Sequence, residues 1–457
     1  MLNRSHTSPG LLVDLYHIDA AYIAWKSGIR ADATFDLYTR QAPFGGSFLL
    51  TAGLQPALDF VSALAFTDSD IAFLRTLRPY DNAFFRELRG TRFSGEILAM
   101  PEGEIAFAHE PLLRVTAPFI EAMFVESGLL HIIGFSSLIA TKAARIVGAA
   151  SGRPVAEFGY RRAQEPFLAS RSAFIGGCAS TSFVAAAEMF GIPASGTVPH
   201  ALIEAFPSEV TAFRAIAESI EHYSLLLDTY DVQTATRTAA EIALDVRERL
   251  GHTLVSVRLD SGDLDSGSRA IRAVLDSSDL RDVRIVVSGD LDEWKIADLV
   301  ASGAPIDGFG VGTSLTVGAG SVEHRVEGGA LGAVYKLAWY EEGSSPSRIK
   351  IAGEKSTWPG KKQVIRRGIF DGDVIQSDHE PVPPGARSLL RPVMTKGEID
   401  QAAHVPIAAI RDRSLASIGA LPSQFKELSN PADYSVQWST ELIELRAQTL
   451  AEHDHSE

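Results

Sequence analysis

Two acidic loops with the same sequence are the strongest chemical signal in the chain. Ser-Gly-Asp-Leu-Asp occurs at Ser261–Asp265 and again at Ser288–Asp292, each time directly after an apolar run. A strand followed by a small Gly-containing loop and a helix is a βα unit, and the loop after the strand carries function in such units. Acids in these loops can hold a cation or accept from hydroxyls, and the glycine lets a phosphate approach the backbone.

Other predicted strands end in the same kind of residues. The ends of seven consecutive strands would bring to one face Arg161, Arg162, His200, Asp228, Arg258, Asp260, Asp290 and Gly312. Arginines clamp phosphate oxygens, glycine-rich backbone at a helix start offers N–H donors, and carboxylates bind ribose hydroxyls or hold Mg²⁺ through water. One strand-end Asp is more often a helix cap than a ligand. The repetition is what favours a site for a sugar phosphate with a divalent cation.

The elements that must position these residues alternate between strand and helix. The predicted strands are 155–158, 173–175, 194–198, 224–227, 254–259, 284–287 and 308–311, and helices are predicted at 182–190, 234–250 and 292–301. This spacing predicts a parallel sheet, and seven or eight strands favour closure into a barrel.

The rest of the chain differs from this pattern. We therefore predict an α/β fold in which an irregular parallel α/β barrel at 131–340 holds the site. A split α+β domain is built from residues 1–130 and from 341–457, where a helix is predicted at 433–453.

Composition narrows the class of protein. The 457 residues carry a formal net charge of −15, which argues against a nucleic-acid partner. The one cysteine, Cys178, excludes an internal disulfide and fits a reducing, cytoplasmic compartment. The first ten residues lack an apolar signal region, and no run of 18 uncharged apolar residues occurs, so we predict neither secretion nor a membrane span.

Seven motifs follow one another in an order that is highly specific. They are Asp14–Tyr16, Pro43–Gly46, Leu138–Arg145, Arg161–Gln164, Gly196–His200, Arg258–Leu264 and Phe309–Thr313. Together they make the chain, from about Asp14 to at least Lys336, resemble the nicotinate phosphoribosyltransferase family.

The resemblance implies a type II phosphoribosyltransferase fold and a homodimer with shared active sites. It also implies a reaction in which nicotinate and phosphoribosyl pyrophosphate give nicotinate mononucleotide and pyrophosphate. ATP hydrolysis through a phosphohistidine would drive this reaction, with Mg²⁺ as cofactor. The implied partners are therefore small molecules, together with a second copy of the chain.

The resemblance also implies roles for individual residues. The catalytic residues would be His200 as the phosphorylated nucleophile, with Asp228, Arg258 and Asp260. The substrate-binding residues would be Tyr16, Phe158, Arg161, Ser182, Thr197, Ser288, Gly289, Asp290, Gly310, Gly312 and Thr313. Phe158 and the partner-contributed Tyr16 could sandwich the flat ring, and Asp260 or Asp290 could bind Mg²⁺. The plain alternatives are helix caps for the acids, turns for the glycines and surface ion pairs for the arginines.

Several positions depart from the family pattern and keep other functions open. They are Val13, His17, Ala179, Ser180, Phe183, Pro199, Ala201 and Gly289. A divergent phosphoribosyltransferase could use another small aromatic acid or amide. We expect an acid, because nicotinamide-using relatives carry Asp where this chain has Ser182.

Two alternatives come from other classes of protein. A Mg²⁺-dependent barrel lyase or hydrolase would need a Schiff-base lysine, for which Lys336 is the obvious candidate, or a paired-carboxylate metal site. A catalytically silent binding protein is the other. The presence of the Arg, His and Asp residues argues against it.

Overall fold

The computed structural model describes residues 8–343, 346–351 and 355–454 and divides into two compact units. The first unit combines Met1–Thr141 with Val326–Glu457, and the second is Lys142–Arg325. The first unit is thus discontinuous in sequence. The domain boundaries predicted after residues 130 and 340 stay a prediction.

The strands and helices are numbered in chain order. The strands are β1 (Asp32–Thr39), β2 (Leu49–Leu50), β3 (Glu96–Ala99), β4 (Ile105–Ala106), β5 (Leu113–Pro118), β6 (Val155–Glu157), β7 (Ser180–Thr181), β8 (His222–Leu226), β9 (Thr253–Leu259), β10 (Arg284–Val287), β11 (Gly308–Val311), β12 (Ala333–Tyr340), β13 (Lys362–Arg367), β14 (Asp373–Ser377), β15 (Ala386–Ser388), β16 (Arg391–Thr395), β17 (Glu398–Ile399) and β18 (Val436–Trp438).

The helices are α1 (Leu15–Ser27), α2 (Leu54–Ser62), α3 (Asp68–Leu77), α4 (Asn82–Gly90), α5 (Phe119–Phe124), α6 (Glu126–Ala149), α7 (Pro166–Ile175), α8 (Val184–Phe190), α9 (His200–Glu204), α10 (Glu209–Ser219), α11 (Val232–Leu250), α12 (Leu264–Ser277), α13 (Glu293–Ala301), α14 (Thr313–Thr316), α15 (Ile407–Ala420) and α16 (Thr440–Asp454).

The first unit is built around antiparallel sheets. A six-stranded sheet has the order β12-β1-β5-β3-β16-β17, and a four-stranded sheet has the order β15-β13-β14-β18, in which only β14 and β18 run parallel. Apolar side chains of β1, β5 and the neighbouring helices pack into one large core, which includes Ile18, Phe35, Leu37, Phe84, Val115, Phe124 and Val364. Burial of so much apolar surface is the main force that stabilises this unit.

The second unit contains the parallel sheet that the βα rhythm predicts. Six strands pair in the order β7-β6-β11-β10-β9-β8. Arg258 lies opposite both Leu226 of β8 and Val286 of β10, so these three strands end almost level. Side chains that follow the strand ends therefore meet at one edge of the sheet.

Helix caps explain how the loops of this sheet lead into helices. The carboxylates of Asp231, Asp263 and Asp292 accept from backbone N–H groups at the starts of α11, α12 and α13. Such caps satisfy donors that have no partner within the helix. The two identical pentapeptides thus differ, because the cap is the third residue of the first and the fifth residue of the second.

Three sequence predictions of local structure are wrong. Residues 173–175 end helix α7, which starts at Pro166, a residue suited to a first helical turn. Of 194–198, only Ala194 pairs, through one bridge to Thr181 of the two-residue strand β7. The helix expected at 433–453 starts only at Thr440, after strand β18. Short apolar runs do not distinguish strand from helix. The mixed α/β class and the parallel sheet are confirmed, and closure into a barrel stays a prediction.

One helix of the described residues is long and apolar enough to cross a membrane. It is α6, and 72% of its most apolar window is buried inside the protein. Burial of this extent is that of a core helix in a globular protein. The described chain therefore offers no clear membrane span.

Candidate active site

Arg258, near the end of β9, is the centre of a hydrogen-bonded cluster in the second unit. Its Nη2 donates to Asp260 Oδ1 at 2.6 Å, its Nε donates to Ser288 Oγ at 2.7 Å, and its Nη1 donates to Thr197 Oγ1 at 2.9 Å. The Ser288 hydroxyl also donates to Asp260 Oδ1. The guanidinium is thus held in one orientation by groups from three different loops.

His200 lies beside this cluster at the start of helix α9. Its Nδ1 is 3.1 Å from Thr229 Oγ1, and its Nε2 is 3.9 Å from both Asp228 Oδ1 and Asp260 Oδ2. The side chain remains 37% exposed. The imidazole is therefore fixed on one side and accessible to a ligand.

Asp228 is the buried acid of the site. Its Oδ2 accepts from the Asp260 N–H at 3.0 Å and from the Ser261 hydroxyl at 2.5 Å. Its Oδ1 is buried and has no hydrogen-bond partner among the residues that the structure describes. A buried carboxylate oxygen without a partner is costly, and a donor from a bound ligand would remove this cost. Only 3% of this side chain is exposed.

Glycine is required where two backbones approach each other at this edge. Gly289 has a φ of +95°, and a Cβ there would lie 1.9 Å from the carbonyl oxygen of Asp260. A Cβ on Gly310 would lie 2.5 Å from the Phe158 ring. These glycines allow the loop after β10 to pack against the loop after β9, and Phe158 against β11.

The loop after β6 is supported by a buried acid. Glu157 accepts from the Gly159 N–H, from the Ser170 hydroxyl at 2.8 Å and from the Thr181 hydroxyl at 2.6 Å. The loop then presents Phe158, whose ring centroid is 5.7 Å from the Arg258 guanidinium carbon. An aromatic ring beside the guanidinium gives the site a flat apolar wall.

Basic residues of the same loop are solvent-accessible. Arg161 and Arg162 are both exposed, and Arg162 Nη1 donates to Thr313 Oγ1 at 2.5 Å, which joins this loop to the start of α14. Gly312, the residue before Thr313, passes close to the Phe158 carbonyl group. The loops after β6 and β11 therefore lie side by side.

The structure brings most, but not all, of the predicted residues together. His200, Asp228, Arg258, Asp260, Thr197 and Ser288 form one contact network. Ser182 and Asp290 are exposed, and the carbonyl oxygen of Asp290 accepts from Lys295 Nζ at 2.8 Å. Tyr16 belongs to the first unit, where 59% of its surface is exposed. Its assignment to the site stays a prediction.

Sequence reasoning missed residues that support the site. Thr229 contacts His200, Ser261 contacts Asp228, and Glu157 organises the loop after β6. Each is adjacent to a predicted site residue, and its position beside a strand end is a signal that could have found it. The stacked rings of Tyr160 and Phe183, 4.0 Å apart, were also missed, although Phe183 was noted as a departure.

The donor set allows a Mg²⁺ ion that is shared with substrate phosphates. No group of three or more His, Cys, Asp or Glu residues suited to a metal occurs among the residues described. However, Mg²⁺ usually binds one or two carboxylates together with phosphates and water. Asp260 fits this use, because its Oδ1 is engaged by Arg258 and Ser288 while its Oδ2 faces His200.

Comparisons with known proteins agree with this architecture. Residues 11–134 match the model of the nicotinate phosphoribosyltransferase (NAPRTase) N-terminal domain, and residues 382–446 match that of the C-terminal domain. The chain is 39% identical over 467 residues to nicotinate phosphoribosyltransferase pncB2 of Mycobacterium tuberculosis, which covers 99% of this chain and 97% of that protein. It is 41% identical over 367 residues to nicotinate phosphoribosyltransferase of Bacillus subtilis, with 79% and 73% covered.

The chain belongs to the nicotinate phosphoribosyltransferase family. The crystal structure of human nicotinic acid phosphoribosyltransferase superposes with a TM-score of 0.83 at 29% identity, covering 96% of this chain and 100% of that chain. The recognition made from the ordered motifs is thereby confirmed, and the protein is an enzyme.

Family membership disfavours the alternatives from other classes. Lys336, the candidate Schiff-base lysine, lies on the antiparallel strand β12 of the first unit, opposite Asp36 of β1. It is not at the end of a parallel strand, where a barrel lyase would need it.

Proposed function

We propose that this enzyme transfers the phosphoribosyl group of phosphoribosyl pyrophosphate to nicotinate, which gives nicotinate mononucleotide and pyrophosphate. The observation that carries the proposal is the cluster around Arg258, in which an immobilised guanidinium, two acids and His200 meet at the ends of parallel strands in a member of this family.

The site residues suit this chemistry. Transfer breaks the bond between ribose C1 and a pyrophosphate oxygen and forms a bond from C1 to the pyridine nitrogen, so negative charge grows on pyrophosphate. Preorganised donors stabilise such charge most strongly. Arg258 supplies a fixed cation, and Gly289 allows close approach to the backbone. Phe158 would stack on the pyridine ring, and Arg161 would bind an anionic group.

ATP is proposed as co-substrate, with His200 as the group that is phosphorylated. A neutral imidazole is nucleophilic near pH 7. Mg²⁺, held by Asp260 and substrate phosphates, would offset phosphate charge when bound. Asp290 remains the second possible ligand, and its exposed position fits a contact made only with substrate present.

Finer structural features are also part of the proposal. The parallel sheet would belong to the irregular barrel of type II phosphoribosyltransferases. Two copies would form a homodimer in which Tyr16, exposed on α1, enters the partner's site. The one cysteine, which is buried, supports a cytoplasmic location.

A direct assay tests the function. The protein is incubated with phosphoribosyl pyrophosphate, Mg²⁺ and a panel of pyridine acids and amides, with and without ATP, and products are identified by mass spectrometry. We expect nicotinate mononucleotide and stimulation by ATP, and we expect His200→Asn to lose the stimulation. A ribonucleotide of another aromatic, with none from nicotinate, would contradict the proposal.

Acid specificity is tested at Ser182. We expect Ser182→Asp to lower kcat/KM for nicotinate more than for nicotinamide, because two like charges in contact repel by about 4 kcal/mol at an effective dielectric of 20. Ser182→Asn is the uncharged control of similar size. A wild-type preference for nicotinamide would contradict the acid assignment.

A further inference from the structure

A short turn follows β6 and contacts the loops on both sides of it. The turn is a single 3₁₀ helix, Tyr160–Arg162, in which the Arg162 N–H donates to the Gly159 carbonyl oxygen at 2.9 Å. No side chain among the described residues caps its start. Strand β6 lies between β7 and β11 in the parallel sheet. So short a turn has little stability of its own, and its contacts with the two neighbouring loops therefore decide its position.

On one side, the turn makes an aromatic stack with the loop after β7. The Tyr160 ring stacks on the Phe183 ring, with 4.0 Å between the centroids and an angle of 11° between the planes. Phe167, in the first turn of α7, also contacts Phe183, at 4.8 Å between centroids. Phe183 is 6% exposed, whereas Tyr160 is 42% exposed. Phe183 is thus fixed by its surroundings, and Tyr160 attaches the turn to it.

On the other side, the turn makes a hydrogen bond with the loop after β11. Arg162 Nη1 donates to Thr313 Oγ1 at 2.5 Å. Arg161 lies between the two attached residues, and its own side chain is exposed. The backbone on each side of Arg161 is therefore held while its guanidinium stays accessible. A binding group keeps a defined position only when neighbouring contacts hold it in this way.

The aromatic stack also connects the turn to Ser182. The Ser182 N–H donates to the Glu157 carbonyl oxygen at 2.9 Å, and the N–H of Phe183 donates to Thr181 Oγ1 at 3.0 Å. The Thr181 hydroxyl donates in turn to the Glu157 carboxylate at 2.6 Å. The loop that carries Ser182 is thus fixed by hydrogen bonds, and the stack joins it to the loop that carries Arg161.

We propose that Tyr160 and Phe183 are a positioning pair, which holds Arg161 in the place from which it binds the anionic group of the substrate. This inference rests on the proposed nicotinate function, in which Arg161 and Ser182 belong to the substrate site. Neither aromatic ring has to contact the substrate for this role. Phe183 is a position at which the chain departs from the family pattern, so the stack is not one of the motifs that carry the resemblance.

The first test measures whether the stack holds the turn. Trypsin can cleave after Arg161 and Arg162 when the turn leaves its folded position, and at low protease concentration the rate follows the population of that open state. We expect Tyr160→Leu and Phe183→Leu to raise the rate by about two- to tenfold, which is the range that the energy of an aromatic pair corresponds to. Tyr160→Phe keeps the ring and should match wild type. Mass spectrometry identifies the cleavage sites.

Phe35→Leu is the matched control. Phe35 stacks on Tyr335 in the core of the first unit, with 4.7 Å between the centroids and an angle of 10°, so the variant removes a stack of the same kind elsewhere. We expect this variant to lower Tm without a change in cleavage at the turn. Replacement of the buried Phe183 also removes other packing contacts, whereas Tyr160→Leu removes the same stack at an exposed residue.

The second test asks whether the stack acts through Arg161. The kcat/KM with nicotinate and phosphoribosyl pyrophosphate is measured in wild type, Tyr160→Leu, Arg161→Ala and the double variant. We expect Tyr160→Leu alone to lower kcat/KM by about two- to tenfold. In the Arg161→Ala background we expect little further loss, because the turn then carries no cation to position. A purely structural role would multiply the two losses. Tyr160→Phe should keep the wild-type kcat/KM.

Other outcomes would overturn the inference. Equal cleavage in wild type and in Tyr160→Leu would show that the stack does not hold the turn, and an equal rise in Phe35→Leu would show that any loss of packing releases it. Losses that multiply in the double variant would show that the stack does not act through Arg161.

These outcomes are distinguishable from a failure of the proposed function. Any of them in an enzyme that makes nicotinate mononucleotide would refute the inference and leave the transferase function standing. Faster cleavage in Tyr160→Leu of a protein that makes no nucleotide would support the hold on the turn and contradict the proposed function.

Discussion

Two arginines, one in each unit, have opposite kinds of surroundings. Arg366 of β13 is 1% exposed and donates to Asp373 at 2.6 Å and to Glu104 at 3.0 Å, with the Phe107 and Phe370 rings against its guanidinium. Arg258 of β9 is 16% exposed and donates to one carboxylate and two hydroxyls. The residues around Arg366 form a closed cluster, because other side chains enclose its guanidinium. The residues around Arg258 form an open cluster, because one side of it remains accessible to solvent.

This difference distinguishes an ion cluster that stabilises the fold from one that belongs to the candidate active site. Around Arg366 the acids exceed the cations, and Arg387 completes the cluster by donating to Glu104. Around Arg258 the neighbouring groups include the imidazole of His200, which is 37% exposed. Buried charges are tolerated only when they are paired. Groups that stay accessible to solvent in this way are those that a ligand can reach.

Arg366→Ala should give the largest effect on stability. It leaves Asp373 and Glu104 buried with fewer partners, and removal of one member of a buried pair costs about 3–5 kcal/mol in the free energy of unfolding. Chemical denaturation followed by tryptophan fluorescence measures the change. Arg387→Ala is the control, because Arg387 is 44% exposed and should cost about 1 kcal/mol or less. Equal losses in both variants would show that burial does not distinguish the two arginines.

Arg258→Ala should leave stability nearly unchanged and impair catalysis. We expect kcat/KM to fall by an amount that corresponds to about 2–4 kcal/mol, since the variant would lose the proposed charge-assisted bond to a substrate phosphate. We expect Arg161→Ala to lower kcat/KM by a similar amount. Steady-state kinetics with nicotinate and phosphoribosyl pyrophosphate measure this, with Arg214→Ala, which removes a surface ion pair to Asp245, as control. Near-wild-type kinetics in both site variants would place the anion site elsewhere.

Gly289→Ala tests how tightly the loops of the open cluster are packed. The added Cβ would meet the carbonyl oxygen of Asp260, and the φ of +95° strains any residue with a Cβ. A strained residue of this kind costs about 1–3 kcal/mol. Gly262→Ala is the matched control, because its φ of +77° is also positive but nothing lies within 4 Å of its added Cβ. We expect the Tm to fall in both variants. We expect a marked decrease in kcat/KM only in Gly289→Ala.

The open cluster could be predicted from the sequence to a large extent, and the closed cluster could not. Arg258, Asp260 and Asp228 follow or end strands with a clear apolar pattern, and parallel strands bring such residues to one edge. The members of the Arg366 cluster come from segments up to 283 residues apart, and their pairing depends on antiparallel strands without a local signal. No motif connects Glu104 with Arg366.

The prediction of local structure from the sequence failed where the elements are short. Strand β7 has only two residues, and its neighbours Phe174 and Ile175 are apolar but helical. The hydrogen bond from Thr229 to His200 joins residues 29 apart, and the sequence gives no sign of it. The bounds of a long helix or strand can be predicted from the period of its apolar residues and from helix-capping residues. Contacts between loops depend on the packing of the whole unit.

The smallest expected effect is a change in stability when one acid of the closed cluster is replaced by glutamine. It tests this cluster best, because its sign differs between Glu110 and Glu104. Burial, and then the charge of Asp373, hold the pKa of Glu110 well above its ordinary value. Its Oε2 accepts from the Phe107 N–H at 2.9 Å, and its Oε1 has no hydrogen-bond partner among the described residues.

Since the folded state binds the Glu110 proton more tightly than the unfolded state, this group stabilises the fold fully below its unfolded pKa of about 4.3. That stability is lost as the pH rises through the raised folded pKa. Glu110→Gln keeps the acceptor for Phe107 and removes the titration, so its stability relative to wild type should increase as the pH is raised from 4 towards 8. Glu104→Gln should instead destabilise the fold, since this variant removes a carboxylate that pairs with two arginines. Denaturant midpoints across this pH range measure both, and a loss of stability in Glu110→Gln that grows with pH would show that Glu110 is bound as a carboxylate.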